Sequence, residues 1–233
     1  MTRRALIIAL VWLSVSGGTG RASAAAQRVS FRTDDGVTIA ATWYEPPSRG
    51  PAVILVHMLQ RSRHDFEALA LRLSNEGIGT LAIDLRGHGE SQGSYGESFT
   101  PMVADIKAAR RFLATRSDVS GRIGVLGASL GANLAALAAA DDPTIVSLAL
   151  LSPSLEYRGL RIEPAMRKIG SRPVLMVVSD DDAYATRTAR DLEKGTKGRE
   201  VMHLAAAGHG SVMLDRDPAL AGALVDWFRR TLL

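Results

Sequence analysis

Short apolar runs and helical stripes alternate along most of this chain. Residues 28–33 and 37–44 are each strand-like, and Asp34-Asp35-Gly36 between them supplies turn residues, so an antiparallel hairpin is predicted. Residues 51–57 (PAVILVH) run apolar without polar alternation, the pattern of a strand covered on both faces. Phe66, Leu69, Ala70 and Leu73 recur at helical spacing, and Gly77 stands where such a helix would stop. The same reading predicts strands at 80–85, 122–126, 145–151, 173–178 and 200–205. Helices are predicted through Val103, Ile106, Ala109 and Leu113, over the small residues 131–140, over 186–194, and through Leu220, Leu224, Trp227 and Phe228. Residues 154–170 are polar and basic with no clear period and are expected to be irregular. A hairpin followed by strand–helix alternation implies an α/β fold: a mostly parallel twisted sheet, antiparallel at its N-terminal hairpin, with helices on both faces.

The first residues break this rhythm. Arg3 and Arg4 precede an apolar run over residues 5–15, and Ala22-Ser23-Ala24 is a small-x-small cleavage pattern. That run is shorter than the ~20 residues of a permanent membrane span. Residues 1–24 are therefore expected to be a cleaved export signal, with Ala26 an alternative cleavage point, leaving residues 25–233 as one domain. The expected location is periplasmic or secreted, with no stable membrane anchor after cleavage.

Composition sharpens the picture in two places. The 233 residues are 46% hydrophobic and 22% charged, ordinary values for a globular chain, and there is no cysteine. Disulfides, cysteine-ligated metals and a cysteine nucleophile are thereby excluded. The formal charge of +4 hints at nucleic acid, but Arg3, Arg4 and Arg21 all lie in the export segment, which holds no acid. Without it, 25 basic side chains face 24 acidic ones, so no nucleic-acid partner is expected.

Candidate chemistry is sought at the carboxyl ends of the strands. Two segments fit G-x-S-x-G, Gly127-Ala128-Ser129-Leu130-Gly131 and Gly89-Glu90-Ser91-Gln92-Gly93. Only Ser129 stands between an apolar strand and a helix, where a sharp turn lifts the hydroxyl above the sheet; Ser91 lies in a polar loop. Ser129 is the predicted nucleophile. A serine hydroxyl needs a base and a group to orient that base, following in the order Ser, acid, His. The aspartates Asp180, Asp181 and Asp182 follow one strand and His209 follows another, both near the edge that carries Ser129. Among the other histidines, His203 and His57 read as structural, His64 as exposed, and His88 as part of a loop. The N–H of Leu130 is expected to be one oxyanion donor, and the loop His57-Met58-Leu59-Gln60 is expected to supply the other.

Together these segments resemble the α/β-hydrolase superfamily, near small carboxylesterases and dienelactone-hydrolase-like serine hydrolases. Asp84-Leu85-Arg86-Gly87-His88-Gly89-Glu90-Ser91 is similar to the D-x-R-G-H-G-x-S segment of many members. The resemblance implies an α/β-hydrolase fold and selects Asp182, three residues after Ser179, as the acid, with Asp181 its competitor and Glu156 a more distant one. It also selects Leu59, with Met58 as alternative, for the second oxyanion donor. Dienelactone hydrolases proper carry a cysteine nucleophile, so a serine here favours a general ester hydrolase.

The expected protein is a serine hydrolase that cleaves a small-molecule carboxylic ester through an acyl-enzyme, with no cofactor and no metal. Its alternatives are a peptidase or lysophospholipase on the same scaffold, or a non-catalytic binding protein. Residues 154–170 sit where a lid would lie, and at this length only a minimal lid and an open site are expected. Tyr157, Arg158 and Arg161 in it are either solvated surface or a meeting point for an acidic substrate.

Overall fold

A computed structural model describes residues 26–194 and 196–233. The expected export segment lies outside the described residues. The chain order is β1 (Ala26–Arg32), β2 (Thr38–Tyr44), β3 (Gly50–Val56), α1 (Glu67–Asn75), β4 (Gly79–Ile83), α2 (Val103–Ala114), β5 (Val119–Ala128) and α3 (Leu130–Asp141). Then come β6 (Ile145–Leu151), β7 (Glu156–Tyr157), β8 (Leu160–Arg161), α4 (Glu163–Ile169), β9 (Val174–Ser179), α5 (Ala183–Glu193), β10 (Arg199–Leu204), α6 (Met213–Arg216) and α7 (Leu220–Leu232). No helix among the described residues is long and apolar enough to cross a membrane.

Eight strands form one sheet in the order β1-β2-β4-β3-β5-β6-β9-β10. Pairing is antiparallel between β1 and β2 and between β2 and β4, and parallel throughout the rest. This is the α/β-hydrolase architecture expected from the sequence. The continuous apolar runs have a simple cause. In β3, Ala52, Ile54 and Val56 enter one core layer, while Val53 and Leu55 enter the other. Strand β9 divides likewise, Val174, Met176 and Val178 against Leu175 and Val177. Successive side chains point to opposite faces, so a strand covered on both sides has no polar alternation to show. Helices α2 to α5 cover the first layer, and α1 and α7 cover the second with Leu69, Leu73, Leu224, Trp227 and Phe228, joined by Phe66 just before α1.

The expectation for residues 154–170 is corrected. They form the β7–β8 hairpin and the helix α4, not an irregular stretch. Ile162, Ala165, Met166 and Ile169 are buried at helical spacing, and α4 packs on α3. The charged residues between them mask this stripe in the sequence. The small side chains of α3 let a neighbouring helix approach closely. Strand β5 is also longer than predicted: it runs from Val119 to Ala128 and extends past 122–126 at both ends.

Candidate active site

Ser129 sits between the end of β5 and the start of α3 with φ 51° and ψ −113°, an unfavourable conformation for a residue with a side chain. Its N–H donates to the Leu151 carbonyl at 2.8 Å, which pins the turn to β6. The flanking glycines are dictated by close approach. A Cβ on Gly127 would lie 2.2 Å from the Gly131 carbonyl oxygen, and one on Gly131 would lie 2.3 Å from that of Val56. No larger residue fits either position without moving backbone.

His209 follows β10 in the chain and meets this elbow from the adjoining loop. Its Nε2 lies 2.7 Å from Ser129 Oγ, and its Nδ1 lies 2.6 Å from Asp182 Oδ2. Asp182 caps α5, its Oδ1 accepting from the Ala185 N–H at 3.1 Å, so the carboxylate has one oxygen for the helix and one for the imidazole. The Asp182 carboxylate is mostly covered (13% exposed), whereas half of the His209 side chain faces solvent (49%). Three separated segments thus meet in one chain of contacts.

The competitors are placed elsewhere. Asp181 accepts from Ser179 Oγ and from the Gly208 N–H, which ties the aspartate loop to the histidine loop without touching the imidazole. Hydrogen bonding from Ser179 holds the Asp181 carboxyl below its ordinary value. Glu156 is spent inside the β7–β8 hairpin, where it accepts from the Gly159 N–H. His203 pairs with Asp180 on the exposed face of β10, and His64 with Glu67. Ser91 donates to the Asp84 carbonyl at 2.7 Å and accepts from the Ala40 N–H at 2.8 Å. Its hydroxyl ties a loop to the sheet.

Residues 47–177, more than half of the chain, match the model of the family described as serine aminopeptidase, S33. The chain belongs to this family of α/β hydrolases. Among curated proteins it is similar to polyketide transferase ATR5 of Stachybotrys chlorohalonatus, 27% identical over 66% of this chain and 57% of that one. It is also similar to thiohydrolase apmlB of Arthrinium phaeospermum, 29% identical over 78% of this chain and 56% of that one. The chain therefore spans little more than half the length of these relatives. Among solved structures, dienelactone hydrolase from Anabaena variabilis shares the fold with a TM-score of 0.78 at 19% identity, covering 91% of this chain and 100% of that one.

In this α/β hydrolase the loop after β3 is held by two histidines. His57 is fully buried; its Nδ1 donates to the Met58 carbonyl at 2.7 Å and its Nε2 accepts from the Leu85 N–H at 3.0 Å. His88 Nε2 accepts from the N–H of Gln60 at 3.2 Å, and Gln60 has φ 61°. Met58 O also accepts from the Arg61 N–H at 3.2 Å. Among the described residues, the N–H groups of Leu59 and Leu130 donate to no protein acceptor. The N–H of Leu130 opens α3, where the helix dipole is positive.

Burial lowers the His57 pKa from 6.5 to about 4. The hydrogen bonds agree, since a proton on Nε2 would face the Leu85 N–H donor. As the unfolded chain then binds the proton more readily, folding stability is complete above pH ~6.5 and falls as pH drops from there towards 4, by up to about 3 kcal/mol. Denaturant unfolding at pH 7 and pH 4.5 should show the loss, and the His57 ring should stay neutral at pH 5 by NMR. Ring resonances titrating near pH 6.5 would contradict it.

Sequence reasoning missed several supports of the site. Ser152, with φ 51°, accepts from the Gly210 N–H at 3.0 Å and so holds the turn after His209. Ser211 Oγ donates to Asp65, joining that turn to the segment before α1. Asn133, one helical turn after Ser129, bonds the backbone of Ser154 and Leu160 and anchors the hairpin. Each is a lone polar residue whose partner lies far along the chain, and no motif announces it.

Proposed function

We propose that the protein is an exported serine hydrolase that cleaves a small-molecule carboxylic ester through an acyl-enzyme. The observation that carries this reading is the run of contacts from Ser129 Oγ through His209 to Asp182 on a strained elbow. Export rests on residues 1–24 alone.

Ser129 Oγ attacks the ester carbonyl carbon while its proton passes to His209 Nε2. The displaced C=O electron pair settles on the oxygen, which accepts from the N–H groups of Leu130 and Leu59, each worth roughly 3 kcal/mol to the transition state. Collapse re-forms the carbonyl and breaks the ester C–O bond, and His209 returns the proton to the leaving alcohol. Water then attacks acyl-Ser129, giving a proton to His209. The second collapse releases the acid as that proton returns to Ser129 Oγ. Throughout, Asp182 accepts from the His209 Nδ1–H and so keeps Nε2 available as the base. The chemistry calls on no metal or organic cofactor.

A second reading, amide hydrolysis, is favoured by the family description, which names an aminopeptidase. Both readings use the same acyl-enzyme and differ in the leaving group. A fluorophosphonate probe should label the wild-type protein and Ser91→Ala but not Ser129→Ala; labelling that persists in Ser129→Ala overturns the nucleophile. A panel of p-nitrophenyl esters of increasing chain length, a matched thioester and aminoacyl amides separates the readings. The ester reading expects highest turnover on an oxygen ester, and fastest cleavage of an aminoacyl amide would replace it.

A further inference from the structure

The β7–β8 hairpin follows β6, the strand whose Leu151 carbonyl accepts the Ser129 N–H. At its root, Asn133 of α3 holds Ser154 and Leu160. On one side, Tyr184, two residues beyond Asp182, donates to the Glu156 carbonyl at 3.3 Å. On the other side, Tyr157 stacks on Phe99 with ring centroids 5.9 Å apart and planes within 5°. Phe99 continues through Tyr95 and His88 to the loop after β3, with centroids 5.1 Å and 5.2 Å apart. Leu59, Tyr95, Leu155 and Tyr157 are partly exposed along this rim. The hairpin thus bridges the acid loop and the proposed oxyanion loop, with apolar and aromatic side chains between them.

At its tip stands an arginine that the backbone does not favour. Glu156 faces Arg161 and Tyr157 faces Leu160, so Arg158-Gly159 is a two-residue turn. Both residues have positive φ, 45° and 87°. Such a turn favours Asn-Gly, and a long side chain at the first position is strained there. The Arg158 guanidinium lies 5.7 Å from the Phe99 ring centroid and 5.9 Å from that of Tyr157. Among the described residues it pairs with no carboxylate, whereas Arg167 and Lys168 of α4 both do. A stacked guanidinium keeps its in-plane N–H donors free for a carboxylate.

We propose that Arg158 is a specificity-determining residue that binds a negative charge on the substrate, so that the preferred esters carry a carboxylate remote from the bond being cut. This rests on the ester-hydrolase reading above. The apolar rim holds the connecting chain, and Arg158 takes the distal carboxylate through paired N–H donors.

The test compares p-nitrophenyl esters of ω-carboxy acids, four to eight carbons long, with neutral esters of equal length. At the length that reaches the hairpin, kcat/KM for the anionic ester should exceed its neutral partner by about tenfold, less at high salt. In Arg158→Asn that ratio should fall to near one, neutral-ester turnover should stay within twofold, and Tm should hold or rise as the turn relaxes. Arg158→Lys should keep part of the preference. A ratio below twofold at every length in the wild-type protein overturns the proposal, as does a ratio unchanged in Arg158→Asn. A fall in Tm with an unchanged ratio would make Arg158 a structural staple. If no ester is turned over at all, the hydrolysis reading fails separately. Calorimetric binding of hexanedioate to wild type and Arg158→Asn then still decides the matter, with a tenfold weaker Kd expected for the variant and an equal Kd overturning the proposal.

Discussion

Ser129→Ala is expected to lower kcat on p-nitrophenyl esters by about 10⁶-fold, and Asp182→Asn by about 10⁴-fold. In the proposed mechanism the first variant removes the atom that forms the acyl-enzyme. The second keeps shape and volume but changes the imidazole's partner. The Asp182 Oδ2 that lies 2.6 Å from His209 Nδ1 is matched in asparagine by an amide that can donate. The ring then turns to the tautomer with Nε2–H, which cannot take the Ser129 proton. Asp181→Asn provides the comparison, because Asp181 bonds Ser179 and Gly208 and not the imidazole. It should stay within about tenfold of wild type, since it loosens a loop without changing the base. Steady-state kinetics on one neutral ester measures all three. Equal losses in Asp181→Asn and Asp182→Asn would return the acid to dispute.

The largest loss of stability is expected from Asp84→Ala. Asp84 is fully buried, its carboxylate accepting from the Arg63 guanidinium, from the Arg63 backbone N–H at 2.8 Å and from the Glu90 N–H at 2.9 Å. Arg63 is itself 2% exposed and also bonds Thr42 and Glu90. Truncating the acid strands a buried guanidinium and two backbone donors, at a cost of about 3–5 kcal/mol, or roughly 10 °C in Tm. Half-exposed Glu90 cannot take over from outside the core. Urea unfolding of Asp84→Ala beside wild type checks this, and a loss under 1 kcal/mol would show that water reaches the pair. The same variant should release the turn after β3, because Arg63 follows the proposed oxyanion loop directly.

Much of this molecule was legible in the chain because its signals are local. Apolar runs such as residues 51–57 and stripes such as Leu220, Leu224, Trp227 and Phe228 report burial by periodicity alone. The elbow was legible for a related reason: Gly127 and Gly131 are demanded by backbone within the turn and on strand β3, and they bracket Ser129. The β7–β8 hairpin and α4 were not, since their apolar positions are few and their charged ones many. Their burial depends on the small-residue face of α3, which supplies the partner surface.

The sequence by itself determined the fold class, the serine at the strand–helix turn, the histidine beyond the last strand, and a choice among three adjacent aspartates. Among those aspartates only the resemblance favoured Asp182, and the tertiary structure places Asp182 against the imidazole and Asp181 against Ser179 and Gly208. It also decided that Ser91 is bound to Asp84 and Ala40, and that the Arg158 guanidinium lies over its neighbour Tyr157 and over Phe99 from a distant segment. The reason is range. Periodicity and turn chemistry act over a few residues, whereas hydrogen-bond partners are matched across sheet edges that only folding brings together.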